Sequence, residues 1–303
     1  MDSIRLPRFN RSSDIASMRL TERDREILKH VHRHRFLRSA HLVALVTGSR
    51  QQTLRRLQLL YHHGFLERPR CQIDYYHRAG SRPMVYGLGN KGAGLLKREQ
   101  ALPFHRLDWP HKNRVERFFL EHALLVADFM VLLETACRNR RDIRLLTEDD
   151  LQLRDEAVAP RNPFRWRVSI PGASKCGVIP DRVFGLESSN GSRSWYLLEA
   201  DRATMPVRRR NLEQSSFRRK VLAYQATWER NFHRTYFGWQ RFRVLTITTD
   251  SKRLSAMQQV CGTLKRGHGL FLFTEASTFR EQPDVFAFRW KTWRSDRISR
   301  LLD

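Results

Sequence analysis

Three acidic residues stand where apolar residues would be expected in the second half of the chain. Asp181 follows an apolar segment that ends in proline, and Glu199 and Asp201 end the apolar run at 195–198. Both segments have the composition of strands, and side chains two positions apart on a strand share a face. Carboxylates gathered at neighbouring strand ends repel one another unless a cation joins them, and Mg²⁺ accepts such oxygen ligands. Asp181 and Glu199 are therefore candidate magnesium ligands, with Asp201 beside them.

Two further residues could complete such a site. Glu121 lies in a long predicted helix that starts near 115 and is a third candidate ligand, while Lys220 lies on a helix predicted over 212–230. A bound metal would polarise a phosphodiester and lower the pKa of its water, and Lys220 would steady the developing charge. Each residue also has a structural interpretation: Glu121 as a satisfied polar residue of the core, Asp181 as a turn residue and Lys220 as part of a solvated basic face.

The elements that would carry these residues have an α/β layout. The long apolar helix from 115 is followed by predicted strands over 143–147, 178–186 and 195–200, the helix over 212–230, a strand over 242–248, a helix near 254–265 and a strand over 270–273. The tail over 285–293 could add an edge strand. This order predicts an α/β sandwich.

The first hundred residues have a different pattern, that of a helix-turn-helix. Thr21 and Asp24 resemble a capping box at a helix start, and Ser39 can cap a second, short helix. Ser49 and Gln52 form a capping box for a third helix, which is predicted to bury Leu54, Leu57 and Tyr61 and to end at Gly64. Three helices with a tight turn before the third are typical of this motif.

The outward face of the third helix carries side chains that can read bases. Its polar positions recur at spacings of 4, 3 and 4 residues and are flanked by two arginines; the set is Gln51, Arg55, Gln58 and His62 with Arg50 and Arg56. Glutamine and arginine make bidentate contacts to adenine and guanine edges in the major groove. The alternative is an ordinary solvated face, but the position in a tri-helical unit favours recognition of double-stranded DNA.

A hairpin is predicted after the third helix. Strands over 65–67 and 84–88 flank a basic, tyrosine-containing loop whose Arg70, Arg78 and Arg82 could contact phosphate or the minor groove. A helix over 91–99 closes the domain, and 103–110 has the composition of a linker. Helix-turn-helix and hairpin together predict a winged helix.

Net charge supports a polyanionic partner. The chain of 303 residues has 56 basic and 31 acidic side chains, a net charge of +25. So much like charge repels itself unless a polyanion neutralises it, and nucleic acid is the commonest such partner. The four cysteines lack zinc-ligand spacing, the start lacks an apolar signal run and the most apolar stretch is interrupted by charges, so we expect a cytoplasmic protein without a membrane span.

Two resemblances make the expectation more specific. The segments Ile179-Pro180-Asp181, Leu198-Glu199-Ala200-Asp201 and Lys220 resemble the PD-(D/E)xK nuclease pattern. The chain as a whole resembles the replication-relaxation family of plasmid and integrative-element proteins; the matching features are Leu20-Thr21-Glu22-Arg23-Asp24, the winged helix, Leu120-Glu121-His122-Ala123-Leu124, Pro180-Asp181, Glu199-Ala200-Asp201-Arg202-Ala203-Thr204 and the helix of Lys220 and Tyr224. The second resemblance implies a role in replication, relaxation or mobilisation of a mobile element.

The sequence departs from the nuclease pattern at the third catalytic position. Lysine is expected two residues after the strand acid, where this chain has Asp201, which cannot supply a positive charge. Lys220 could substitute from the neighbouring helix, whereas the adjacent Arg202 cannot act as a base at physiological pH. Catalysis and a binding-only, degenerate core therefore both stay open.

The predicted organisation is a polar arm over 1–19, a winged helix over 20–100, a linker over 101–114, a PD-(D/E)xK-like α/β domain over 115–280 and a basic tail or edge strand over 281–303. Three functions remain open: a DNA-binding factor for replication or mobilisation, a magnesium-dependent endonuclease or nickase, and a transcriptional regulator with an inactive nuclease-like domain. Homodimerisation on a palindrome and contacts with replication or conjugation proteins are further expectations.

Overall fold

The protein is a mixed α+β structure that divides into two compact units. The computed structural model describes residues 6–73, 82–99, 113–147, 150, 164–294 and 296–303. The units comprise Met1–Val131 and Leu132–Asp303, and the division falls within one long helix. Nearly all of the predicted linker over 101–114 lies outside the described residues.

The amino-terminal unit has the predicted order of three helices followed by two strands. Its elements are α1 (Glu22–His34), β1 (Phe36–Arg38), α2 (Ser39–Leu45), α3 (Arg50–His62), β2 (Leu66–Glu67), β3 (Val85–Leu88), α4 (Asn90–Arg98) and the first part of α5 (Arg117–Arg138). The three strands form an antiparallel sheet in the order β1, β3, β2. The predicted hairpin and the helix over 91–99 are confirmed, whereas β1 is a strand that the sequence pattern did not reveal.

Local capping explains where the first helices begin. Thr21 and Asp24 form the predicted capping box of α1, which buries Ile27, Leu28 and Val31. The predicted cap at Ser39 is wrong, because Ser39 is the first residue of α2 and Arg38 holds the cap position. The chain reaches Ser39 as the end of a strand, so the backbone there is already fixed by pairing with β3.

The third helix begins as predicted but buries a different set of residues. The Ser49 hydroxyl accepts a hydrogen bond from the Gln52 amide at 3.2 Å. Leu54 is 37% exposed, so its predicted burial is wrong; the buried residues of α3 are Thr53, Leu57, Leu60, Tyr61 and His62. After α3, Gly64 has a φ of +85°, the left-handed conformation expected of a helix terminator.

The carboxy-terminal unit is built on a seven-stranded sheet. It contains the end of α5, then β4 (Ile143–Leu146), β5 (Trp166–Ile170), β6 (Ala173–Val178), β7 (Arg182–Ser188), β8 (Arg193–Asp201), α6 (Phe217–Glu229), α7 (Phe232–Thr235), β9 (Phe242–Thr248), α8 (Ser251–Gly262), β10 (Phe271–Glu275), α9 (Thr278–Glu281), β11 (Trp290–Lys291) and β12 (Ile298–Ser299). The sheet order is β12-β11-β10-β9-β8-β7-β4. Strands β8, β9 and β10 are parallel to one another, and the other pairs are antiparallel.

A separate hairpin of β5 and β6 precedes the sheet's acidic strands. Its inward residues join the main core of the unit together with residues of α6. The predicted single strand over 178–186 is wrong: it is the end of β6 and most of β7, separated by Ile179, Pro180 and Asp181. Proline has no amide hydrogen for a strand ladder, so the chain changes sheets at that point.

Two helix predictions also need correction. The helix predicted over 212–230 starts at Phe217, because the Ser216 hydroxyl caps it by accepting from the Arg219 amide. The long helix α5 is less uniformly buried than predicted, since Phe118 is 67% and Phe119 is 39% exposed. Across the described residues, no helix combines the length and apolar character that a bilayer crossing requires.

Candidate nucleic-acid interface and acidic cluster

Sheet register brings Asp181 next to the end of β8. Asp181 immediately precedes β7, and Arg182 pairs with Leu198 across the antiparallel ladder. The Asp181 amide donates to the Leu198 carbonyl at 3.0 Å, and the Asp181 Oδ2 accepts from the Ala200 amide at 2.8 Å. The predicted neighbourhood of Asp181 and the acids of β8 thus follows from backbone pairing.

Glu199 is buried and has a partner on each carboxylate oxygen. Only 5% of the residue is exposed. Lys220 Nζ donates to Oε2 at 2.5 Å, and the Tyr224 hydroxyl donates to Oε1. Lys220 and Tyr224 lie one turn apart on α6, and residues four apart share a helix face, so the helix holds both donors toward β8.

Burial and the opposite charge of the partner have opposing effects on the pKa values of Glu199 and Lys220. Burial raises the pKa of Glu199, the neighbouring Asp181 adds to that rise, and Lys220 counteracts it. Burial also lowers the pKa of Lys220, but attraction to Glu199 and Asp181 outweighs it, so the pKa of Lys220 is raised overall. The lysine therefore remains a cation and balances the buried carboxylate.

Asp201 belongs to a second ion pair that sequence reasoning did not reveal. Arg253 on α8 holds both carboxylate oxygens, with 2.7 Å between Nη2 and Oδ1, and also donates to the Met205 carbonyl. Thr248 and the Ala203 amide donate to Oδ2 at 3.4 and 3.2 Å. Asp201 therefore anchors α8 and the segment that follows β8.

The donor set does not fit a resident magnesium ion as arranged. Magnesium needs oxygen ligands in near-octahedral geometry. Both oxygens of Glu199 face protein donors, both oxygens of Asp201 face Arg253, and Asp181 gives one oxygen to a backbone amide. Among the described residues, these three carboxylates do not gather their oxygens within 4.8 Å of one another. A metal bound here would have to share the Glu199 oxygens with Lys220 and Tyr224.

Glu121, the third candidate ligand, lies in the amino-terminal unit. It sits on α5 and accepts a hydrogen bond from Arg117 Nε at 3.0 Å, four residues earlier. Its side chain is 29% exposed. This pair is a typical helical i,i+4 interaction.

The exposed face of α3 presents the predicted base-reading side chains. Arg50, Gln51 and Arg55 are exposed and Gln58 is half-buried. Within the part of the chain that the structure describes, these four side chains have no hydrogen bond or ion pair. An open groove of about 730 Å³ beside this face is lined by Arg55 together with Arg19 and Arg23 of the α1 side. The surface is therefore cationic and available.

Two other members of the predicted stripe have structural roles. His62, predicted to point outward, is 5% exposed, and its Nδ1 accepts from the Ser12 amide at 3.1 Å. Arg56 pairs with the fully buried Asp24, with 2.9 Å between Nε and Oδ1. The stripe predicted from helical spacing therefore loses His62 at its carboxy-terminal end, and the flanking Arg56 is neutralised by Asp24.

The polar arm is responsible for covering His62. Arg11 donates to the Tyr61 carbonyl at 3.0 Å and to the Leu66 carbonyl at 3.3 Å, so the arm lies along the end of α3 and the start of the hairpin. Of the predicted loop arginines, Arg70 donates to Asn10 of the arm at 2.8 Å and Arg82 is exposed. Arg78 lies outside the described residues.

These features define a two-unit α+β protein with an exposed cationic helix in one unit and a polar cluster buried beside a seven-stranded sheet in the other. A family profile described as replication-relaxation matches residues 28–239, and the chain belongs to that family. Membership indicates a role in the replication or relaxation of plasmid or mobile-element DNA. No curated protein and no solved structure matches the chain.

Tyr224 and Arg253, the partners of Glu199 and Asp201, were not among the site residues predicted from the sequence. Tyr224 carries a usable signal, because it follows Lys220 by four residues on one helix and so faces the same way. Arg253 carries none, since it lies 52 residues after Asp201 and only the parallel sheet brings α8 to the end of β8.

Proposed function

We propose that the amino-terminal unit is a winged helix that binds double-stranded DNA with α3 in the major groove. The helix, strand, helix, helix, hairpin order is that of a winged helix, and the exposed residues of α3 are of the types that read base edges. In the replication-relaxation context, this activity would place the protein at a site on plasmid or mobile-element DNA.

The observation that carries the proposal is the unpaired cationic face of α3. Several other arginines of this unit are engaged in ion pairs: Arg56 with Asp24, Arg25 with Glu99 and Arg11 with Glu67. Arg50 and Arg55 have no such partner among the described residues, although Glu22 of α1 lines the same groove as Arg55. Unneutralised arginines on one helix face suit a phosphate- and base-bearing ligand.

The test is to select a preferred duplex and measure its affinity against Arg55→Ala. We expect a loss of about 1–3 kcal/mol on the preferred site and a relaxed base preference. Arg98→Ala is a matched control, because Arg98 is exposed on α4 and lacks a side-chain partner in the described residues. Unchanged affinity and preference in Arg55→Ala would remove α3 from the interface.

We further propose that the carboxy-terminal unit is a PD-(D/E)xK-like core that binds DNA without cleaving it. Its chain order of helix, three strands, helix and strand (α5, β4, β7, β8, α6, β9) supports this, with the β5–β6 hairpin as an insertion. The engaged oxygens of Glu199 and Asp201 favour a structural role for the acids.

One observation favours the alternative of a metal-dependent nickase. Lys220 brings an ammonium group to Glu199 beside Asp181, which is the charge that Asp201 cannot provide. Incubation with supercoiled plasmid and Mg²⁺ or Mn²⁺ separates the two. Open circles that disappear in Asp181→Ala, while DNA binding persists, would establish cleavage; intact plasmid at high protein concentration would establish the binding-only core.

A further inference from the structure

The β5–β6 hairpin has one apolar face and one basic face. Trp166, Val168 and Ile170 of β5 belong to the main core, and Trp166 Nε1 donates to the buried Thr227 hydroxyl of α6 at 2.9 Å. The alternate positions, Arg165, Arg167 and Ser169, point the other way because strand side chains alternate. The hairpin thus packs its apolar face into the core while its outer face stays accessible to solvent.

Three cations from different elements surround a small pocket at this hairpin. The pocket, of about 230 Å³, is lined by Arg167, Val168 and Ser169 of β5, Lys175 of β6, Arg230 at the end of α6 and Phe232 of α7. Arg167, Lys175 and Arg230 are all exposed. Convergence of cations on a pocket is unfavourable without an anion, because like charges repel.

No acidic side chain neutralises this group in the part of the chain that the structure describes. Arg167, Lys175 and Arg230 form no side-chain hydrogen bond or ion pair there. The nearest acid in sequence, Glu229, accepts instead from Gln225 Nε2 at 3.0 Å, one turn earlier on α6. By contrast, Arg144 of β4 and Arg193 of β8 share Glu187. The pocket is therefore a site of unmatched positive charge.

The remaining lining suits a phosphate with an organic neighbour rather than a bare ion. The Ser169 hydroxyl can donate to a phosphate oxygen, and Phe232 stacks on Tyr236 with 5.0 Å between ring centroids. Tyr236 is 38% exposed, so one aromatic surface beside the pocket is open to solvent. Cations combined with accessible aromatic rings are typical of surfaces that hold a nucleic-acid strand.

We propose that this pocket binds the phosphodiester backbone of DNA and is a second DNA contact, carried by the carboxy-terminal unit. The assignment rests on the proposed DNA-binding function but involves none of the α3 residues. The carboxy-terminal unit would then contribute to DNA affinity rather than to sequence recognition, because phosphate contacts position a protein without specifying bases.

The test compares the salt dependence of DNA affinity for the full-length protein and for R167Q/K175Q. Each lost phosphate contact lowers the slope of log K against log salt by about one, so we expect the double variant to lose about two. Binding should weaken equally on all sequences. The matched control is K252Q/R289Q, which removes one exposed lysine and one exposed arginine that do not line the pocket. Melting curves should match those of the wild type, since the substituted side chains are exposed.

The outcomes separate this proposal from that for α3. Loss of slope in R167Q/K175Q with unchanged base preference supports the pocket, and it does so even if Arg55→Ala has no effect. A slope equal to that of the control, while Arg55→Ala relaxes base preference, overturns the pocket and leaves α3 in place. Absence of duplex binding by the wild type overturns both. A thermal shift with inorganic phosphate that R167Q/K175Q abolishes, without any change in the DNA slope, would identify a free-anion site and overturn the DNA assignment.

Discussion

Substitution of Lys220 by methionine should destabilise the carboxy-terminal unit in a pH-dependent way. The change leaves Glu199, which is 5% exposed, with only the Tyr224 hydroxyl as a partner. Removing one member of a buried ion pair costs about 3–5 kcal/mol. Lys220 is itself 40% exposed at the side chain, so water screens part of the interaction and we expect about 2–3 kcal/mol at neutral pH.

The pH dependence follows from the pKa of Glu199. Burial already raises that pKa, and loss of Lys220 removes the attraction that opposes the rise. Between the unfolded and folded pKa values the native state binds more protons than the unfolded chain, so stability falls as pH rises through that window. The variant should therefore be close to wild type near the unfolded pKa of Glu199 and fall increasingly behind it toward neutral pH.

Chemical denaturation across this pH range, with E199Q/K220M as the matched control, measures the effect. The double variant has no charge at either position of this pair, so it should regain most of the stability lost in K220M and lose the added pH dependence. A K220M protein as stable as the wild type, or one destabilised equally at every pH, would show that Lys220 does not compensate the charge of Glu199.

Three further predictions address other parts of the fold. Burial lowers the pKa of His62, and the nearby Arg68 and Arg11 add to the effect. The unfolded chain therefore takes up this proton first, at about pH 6.5, so the stability of the protein should decline as pH falls below that value. His62→Gln should flatten this decline when melting temperatures are measured across pH. R253M should lower the free energy of unfolding by about 3–5 kcal/mol, because it leaves the Asp201 carboxylate, whose side chain is 10% exposed, without its cation. D201N/R253M should recover most of that stability in denaturant unfolding. A double variant no more stable than R253M would contradict the pairing. Gly64→Ala should lower stability by about 1–2 kcal/mol because its φ is +85°, while the added methyl group would meet only ordinary van der Waals contacts. Gly94→Ala, in open space on α4, should not destabilise the protein. Equal melting temperatures for the two variants would contradict a backbone cost at Gly64.

Local signals in the sequence determined the elements that depend on neighbouring residues. The capping pairs Thr21 with Asp24 and Ser49 with Gln52 specify where α1 and α3 begin, because their partners are three positions away in the chain. Strand β9 was predicted at its observed bounds, since a run of buried apolar residues needs no distant information to be recognised. Net charge likewise indicated a polyanionic partner without any structure.

Tertiary structure decided which of the polar side chains are available. Helical spacing puts His62 in line with Arg55, but the arm, some fifty residues earlier in the chain, covers His62 and leaves Arg55 exposed. In the same way, strand alternation gave Glu199 and Asp201 a common face, yet α6 and α8 supply them with different cations. The sequence by itself specified residue type and local direction, whereas the partner of each charge depended on contacts between distant segments, which only the packed sheet and helices bring together.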